Sequence, residues 1–94
     1  KEKDTKRHMK YLRNEDLARA EAAAQAADLV VALGSTLSVH PAADIPLLAA
    51  NRGVPYVIIN RGPTEHDDLP EVTLRLEGDV GALFPPAVTA ALAP

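Results

Sequence analysis

A chain of 94 residues accommodates a single small domain, which buries only about two-thirds of its unfolded surface on folding. With 47% hydrophobic, 24% charged and only 3% aromatic residues, its core has to be built from Ala, Val, Leu and Ile. The net charge of −3 argues against non-specific nucleic-acid binding, and the lack of cysteine excludes disulfides, thiolate zinc ligands and cysteine nucleophiles.

Residues 1–13 are dense in charge. Lys1, Lys3, Lys6, Arg7, Lys10 and Arg13 are six of the ten Lys and Arg, and no apolar period runs among them. They read as a charged, disordered leader or the stump of something longer, distinct from the segment 14–94. This N-terminus is too polar for a signal peptide, and no apolar run approaches the roughly 20 residues a membrane helix needs. A soluble, cytoplasmic chain is the expectation.

From Asn14, placed as a helix N-cap, Glu15 and Asp16 set negative charge against the helix dipole, and Leu17, Ala20, Ala24 and Ala27 form one apolar stripe. The spacing predicts a helix over 15–27. Leu29–Leu33 is a continuous apolar run bounded by Asp28 and Gly34, the pattern of a strand buried on both faces in a parallel sheet. A polar turn, Gly34 to Ser38, leads to a helix opening at Pro41 and ending near Gly53, with Pro46 set to bend it or shift its start. Val54–Ile59, closed by Asn60, is a second buried strand. Residues 61–68 form a loop in place of a crossover helix. Val72–Leu76 alternates as an edge strand with one wet face, and a last helix runs from Asp79 to about Leu92, interrupted or restarted at Pro85-Pro86. The order α-β-α-β-β-α makes an α/β fold, a partial Rossmann-like parallel sheet of about three strands with flanking helices.

Ligands of such a sheet bind beyond the carboxyl ends of its strands, and ligand-type residues stand at three such junctions. Gly34 permits close backbone approach, Ser35, Thr36 and Ser38 offer hydroxyls, and the helix start beyond suits a phosphate. Asn60, at the tip of the second strand, can donate to and accept from a ribose diol, or satisfy its own turn. Gly78, Asp79 and Val80 form the third junction, where Asp79 also reads as an N-cap. Among the histidines, His40 is a candidate to line the cleft, while His66, in Glu65-His66-Asp67-Asp68, reads as a solvated loop residue.

The run from Ala27 through Leu33-Gly34-Ser35-Thr36-Leu37-Ser38-Val39-His40-Pro41 to Ala43 closely resembles the sirtuin stretch A-D-L-x-x-x-x-G-[TS]-[ST]-L-x-V-x-P-A. The likeness extends through Ala49-Ala50, Gly53, Ile58-Ile59-Asn60, Thr64 and Gly78-Asp79-Val80-Gly81, spanning about residues 15–92. The resemblance implies the C-terminal part of the large domain of an NAD-dependent protein-lysine deacylase. By position, Gly34, Ser35 and Thr36 would line the phosphates and the ribose nearest nicotinamide, Asn60 would bind the adenine ribose, and Asp79 with Val80 would flank adenine. Val39 and Pro41 would lie nearer the mouth of the site. The family's first Gly-rich NAD loop, catalytic histidine and four zinc cysteines have no counterpart in these 94 residues. No catalytic or metal residue is therefore assigned, and the chain alone is expected to hold at most the ADP-ribose side of NAD without catalysing. The acyl-lysine protein would be a partner of a complete enzyme. The alternatives are a non-catalytic interaction module that assembles through an exposed sheet edge, and a half-domain of another nucleotide-binding enzyme.

Overall fold

The computed structural model describes residues 14–93, so the charged leader 1–13 lies outside the described residues. The elements are α1 (Asn14–Ala26), β1 (Val30–Leu33), a 3-10 turn (Ala42–Asp44), α2 (Ile45–Ala50), β2 (Tyr56–Asn60), β3 (Leu74–Glu77) and α3 (Val80–Leu92). The strands form one parallel sheet in the order β1-β2-β3. Fold class and element order are those the sequence predicts. Among the described residues no helix is long and apolar enough to cross a membrane.

The first helix follows its pattern closely. Leu17, Ala20 and Ala24 are shielded while the residues between Ala20 and Ala24 are exposed, so the stripe faces the protein. Asn14 is itself helical rather than a flanking cap, a shift of one residue at a boundary that frays readily. Alanine on both sides lets α1 and α2 approach closely: Ala24, Ala49 and Ala50 are all buried in this contact region. The last carbonyls of α1 have no basic residue in their own final turn. Arg52, just beyond α2, donates to Ala24 O (2.6 Å) and Ala27 O (3.1 Å) instead, so a cation from the neighbouring helix meets the negative helix end. Arg52→Ala is expected to lower stability by about 1–2 kcal/mol. The measurement is urea denaturation, with Arg52→Lys recovering only part of the loss because an ammonium lacks the planar fork whose two nitrogens each meet one carbonyl.

The second helix starts late. Pro41 opens only a 3-10 turn, and α-helical bonding begins at Ile45 with Pro46 in its first turn, where the missing N–H costs nothing. Central β2 is the spine of the core. Tyr56 and Ile58 are fully buried, with Ala32, Leu37, Ala43 and Ala50 packed around them and Val30, Leu47 and Val72 at the margin.

Three expectations are corrected. First, β1 is not buried on both faces: it borders the sheet, and Leu33 and the preceding Leu29 stand 38% and 54% exposed because no further strand or helix among the described residues covers them. Second, Pro85 and Pro86 neither interrupt nor restart α3, which continues through both. Each proline deprives one carbonyl a turn earlier of its partner, but this stretch lies on the surface, where water serves those carbonyls. Third, β3 is an edge strand as its alternation implies, yet its polar member is the better covered one. Leu74 is 47% exposed whereas Arg75 is folded back against the β2–β3 loop.

Candidate functional site

Parallel register brings the ends of all three strands level, with Leu33 beside Ile59, Ile59 beside Leu76 and Asn60 beside Glu77. Two backbone bonds carry the order one residue past the strands: Gly34 N–H donates to Ile59 O (2.9 Å) and Gly78 N–H to Asn60 O (3.1 Å). Gly34, Asn60 and Gly78 therefore share one rim. Gly34 has φ +61°, and a Cβ placed there would stand 3.6 Å from Val80 Cγ2, so the bare backbone after β1 lies against the first residue of α3. The sequence separates these two residues by 46 positions; the sheet unites them.

The loop after β1 is rigidly folded. Leu37 takes φ +58°, a left-handed conformation that costs a side-chain-bearing residue about 1–2 kcal/mol. Burial of its side chain in the core and a bond from its N–H to Ser35 Oγ (3.0 Å) offset that cost. With Leu37 turned inward, the hydroxyls of Thr36 and Ser38 come together at 2.8 Å on the exposed side. Ser35 to Val39, Ala42 and Ala43 line a cleft of about 110 Å³. Backbone held in a sparsely populated region at the lip of a cleft, beside paired hydroxyls, is a feature that functional sites display. The helix start does not behave as the sequence suggests: Ala43 and Asp44 spend their N–H groups on Val39 O and Pro41 O, and Asp44 sets a carboxylate beside the helix start. The N–H groups of Ala43 and Asp44 are thus spent within the chain, and the Thr36 and Ser38 hydroxyls are exposed polar groups of the loop.

At the far end of the rim, Asp79 caps α3, accepting from Ala82 N–H at 3.0 Å, and its other oxygen lies 3.5 Å from the exposed Arg61 guanidinium. Asn60 is 7% exposed and donates from Nδ2 to Gly62 O at 3.0 Å. His40 is absent from the cleft lining; it is exposed, with Nδ1 3.1 Å from Asp44 Oδ1.

No family model matches the chain. It is 45% identical over 74 residues to NAD-dependent protein deacetylase 1 of Bradyrhizobium diazoefficiens, a match covering 79% of this chain and 28% of that protein. An NAD-dependent protein deacetylase of Rhodopseudomonas palustris is 46% identical over 70 residues, 74% of this chain and 27% of the relative. Among solved structures, Sir2 bound to a p53 peptide and NAD+ superposes with a TM-score of 0.74 at 34% identity, over 85% of this chain and 32% of that one. Over this segment the chain is homologous to the sirtuins. It spans less than a third of the length of the relatives it matches.

Within this sirtuin segment, the chain brings Gly34, Ser35, Thr36, Ser38, Asn60, Gly78, Asp79 and Val80 to the carboxyl side of the sheet, as strand-end positions must be in a parallel fold. Two residues depart from what their sequence surroundings suggest. His66 is not solvated: it is 4% exposed, its Nδ1 lies 2.7 Å from the Tyr56 hydroxyl, and the rings meet edge to face at 5.8 Å. A phenol inside an apolar strand needs a polar partner, and Tyr56 finds it ten residues on; that requirement was the available signal. Among the described residues, no three His, Asp or Glu side chains gather where they could hold a metal. Arg75 is the second. It donates to Asp67 Oδ1 (2.8 Å), Asn60 O (3.1 Å), Leu76 O (2.6 Å), Gly62 O and Glu77 Oε1 (3.2 Å), locking the β2–β3 loop onto the sheet.

The loop contains a second fastening in Thr64, whose N–H and hydroxyl donate to Asp67 Oδ2 (3.0 Å) and Oδ1 (2.6 Å). These bonds and Arg75 hold the Asp67 carboxyl down to about 2. Burial lowers the His66 pKa below 6.5 and pushes the Tyr56 phenol up to about 12. Both acidic-side shifts act in the same sense. Between the depressed folded value and the ordinary one, the unfolded chain binds a proton the folded chain does not, so stability falls as pH drops. Denaturation followed from pH 8 to 2 should show a first loss below about 6.5 from His66 and a second between 3.8 and about 2 from Asp67. His66→Phe should flatten the first limb and leave the second.

Proposed function

We propose that the chain is the C-terminal NAD-binding segment of a sirtuin-like NAD-dependent protein-lysine deacylase, and that its strand-end rim holds the ADP-ribose half of the cofactor. The observation that carries this reading is the meeting of Gly34 with Val80 above the end of β2. It supports a cradle in which backbone, rather than side chains, borders the ligand, and a Cβ at Gly34 would narrow it. The residues present fit such a group: amide and hydroxyl donors at Ser35, Thr36 and Ser38 suit phosphates, Asn60 suits a ribose, and the apolar Val80 with the Gly78 backbone suits a purine face. In a complete deacylase the cofactor supplies the ADP-ribose that accepts the acyl group from lysine. The residues here would bind and orient it, while acid–base chemistry and zinc ligation would come from residues that these 94 do not include. NAD and an acyl-lysine protein are the partners this assigns to the whole enzyme.

A titration with ADP-ribose followed by amide NMR tests the reading. Shifts clustered at 34–38, 60 and 78–80 are the expected result. A folded chain with no shifts at millimolar ligand overturns it. In that event the exposed Leu29 and Leu33, at the side of β1 that no described strand pairs, favour a protein-interaction module, for which sedimentation should show self-association.

A further inference from the structure

The end of β2 is held by more bonds than a strand end needs. Gly62 O accepts from both Asn60 Nδ2 and Arg75 Nη2, one donor for each carbonyl lone pair. Gly62 N–H in turn donates to Glu77 Oε2 (2.8 Å), and Glu77 Oε1 takes Arg75 Nη2 (3.2 Å). Arg75 also holds Asn60 O, the carbonyl that receives Gly78 N–H. Gly62 is thus gripped at both its N–H and its C=O by two β3 side chains, and its carbonyl is the partner of the Asn60 amide.

This arrangement decides which atom Asn60 offers. A carbonyl can only accept, so Nδ2 must face Gly62 O and Oδ1 must lie on the other side. Oδ1 receives no hydrogen bond from a described residue. Among the described residues only Glu71 Oε1 is a fully buried side-chain polar atom without a partner, so Oδ1 keeps contact with solvent. We infer that Arg75 and Glu77 are positioning residues that fix the Asn60 side-chain amide with Oδ1 outward, as an acceptor for a hydroxyl of a bound nucleotide ribose. The ligand half of this inference rests on the reading proposed above; the positioning half does not.

Glu77 is the sharper handle, since its side chain is 64% exposed and its removal spares the core. In the 94-residue chain, Glu77→Ala should speed hydrogen exchange of the Asn60 side-chain amide and split or shift its NMR signal. It should also weaken ADP-ribose binding by about five- to tenfold, the weight of one oriented hydrogen bond. Arg75→Gln should do the same more strongly. In an Asn60→Ala background, Glu77→Ala should change affinity by less than about twofold, because its effect passes through Asn60. Unchanged amide exchange in Glu77→Ala overturns the inference, as does an equal loss of affinity with and without Asn60. Should Arg75→Gln fail to fold, Glu77→Ala alone decides. If the unsubstituted chain binds no ADP-ribose, the cofactor reading fails, and the amide exchange still decides whether Arg75 and Glu77 position Asn60.

Discussion

Ile58→Ala is expected to remove about 2–5 kcal/mol of folding free energy, toward the upper end of what a buried aliphatic truncation costs. Ile58 is fully buried in the middle of β2, flanked by Ala32 on β1 and Arg75 on β3. Its core cluster includes the three alanines Ala32, Ala43 and Ala50, short side chains with little reach to refill the cavity. A domain of this size has only about 0.05–0.15 kcal/mol per residue in hand, so the substitution should leave a large unfolded fraction at 37 °C. Circular dichroism with urea denaturation measures it, and Leu92→Ala, at a position 79% exposed, should lie within about 0.5 kcal/mol of the parent. A loss under 1 kcal/mol for Ile58→Ala would mean that β2 is not the spine of this core.

Gly78→Ala should be the most damaging change on the rim. Gly78 has φ +152°, which side chains disfavour, and a Cβ there would fall 2.9 Å from Leu83 Cδ1. Backbone strain of this kind costs on the order of 1–3 kcal/mol. The clashing atom is the far end of the flexible Leu83 side chain in the first turn of α3, so that side chain has to turn aside in addition to the backbone strain. Stability should drop by about 2–3 kcal/mol, and binding of ADP-ribose should weaken further than stability alone explains. Gly34→Ala offers the contrast. Its Cβ meets Val80 at 3.6 Å, an ordinary contact, so only the positive φ is penalised, at about 1–2 kcal/mol. Equal effects from the two substitutions would rule out a steric role for Gly78.

Much of this architecture is written locally. The α1 stripe, the buried β2 and the edge position of β3 follow from period and composition, and the shared strand-end rim follows once a parallel sheet is granted. Local pattern failed where a partner comes from elsewhere. The continuous apolar run of β1 reads as doubly buried, yet burial depends on what packs beside it. His66 lies in a string of charged residues and reads as wet, yet the Tyr56 hydroxyl draws it under the loop. Arg75 looks like the solvent-facing member of an alternating strand, but carbonyls at Asn60 and Gly62 and the Asp67 carboxylate fold it inward.

By itself, then, the sequence determined the elements, their order, the parallel sheet and the motif that places the chain among the sirtuins, because periodicity and turn chemistry act between residues a few positions apart. Only the tertiary structure decided that Gly34 meets Val80, that Leu37 turns inward to pair the Thr36 and Ser38 hydroxyls, and that Arg75 and Glu77 grip the peptide to which Asn60 is bonded. Those contacts join residues far apart in the chain or depend on which way a side chain turns, and hydrogen-bond demand is satisfied by whatever donor or acceptor the fold brings within about 3 Å.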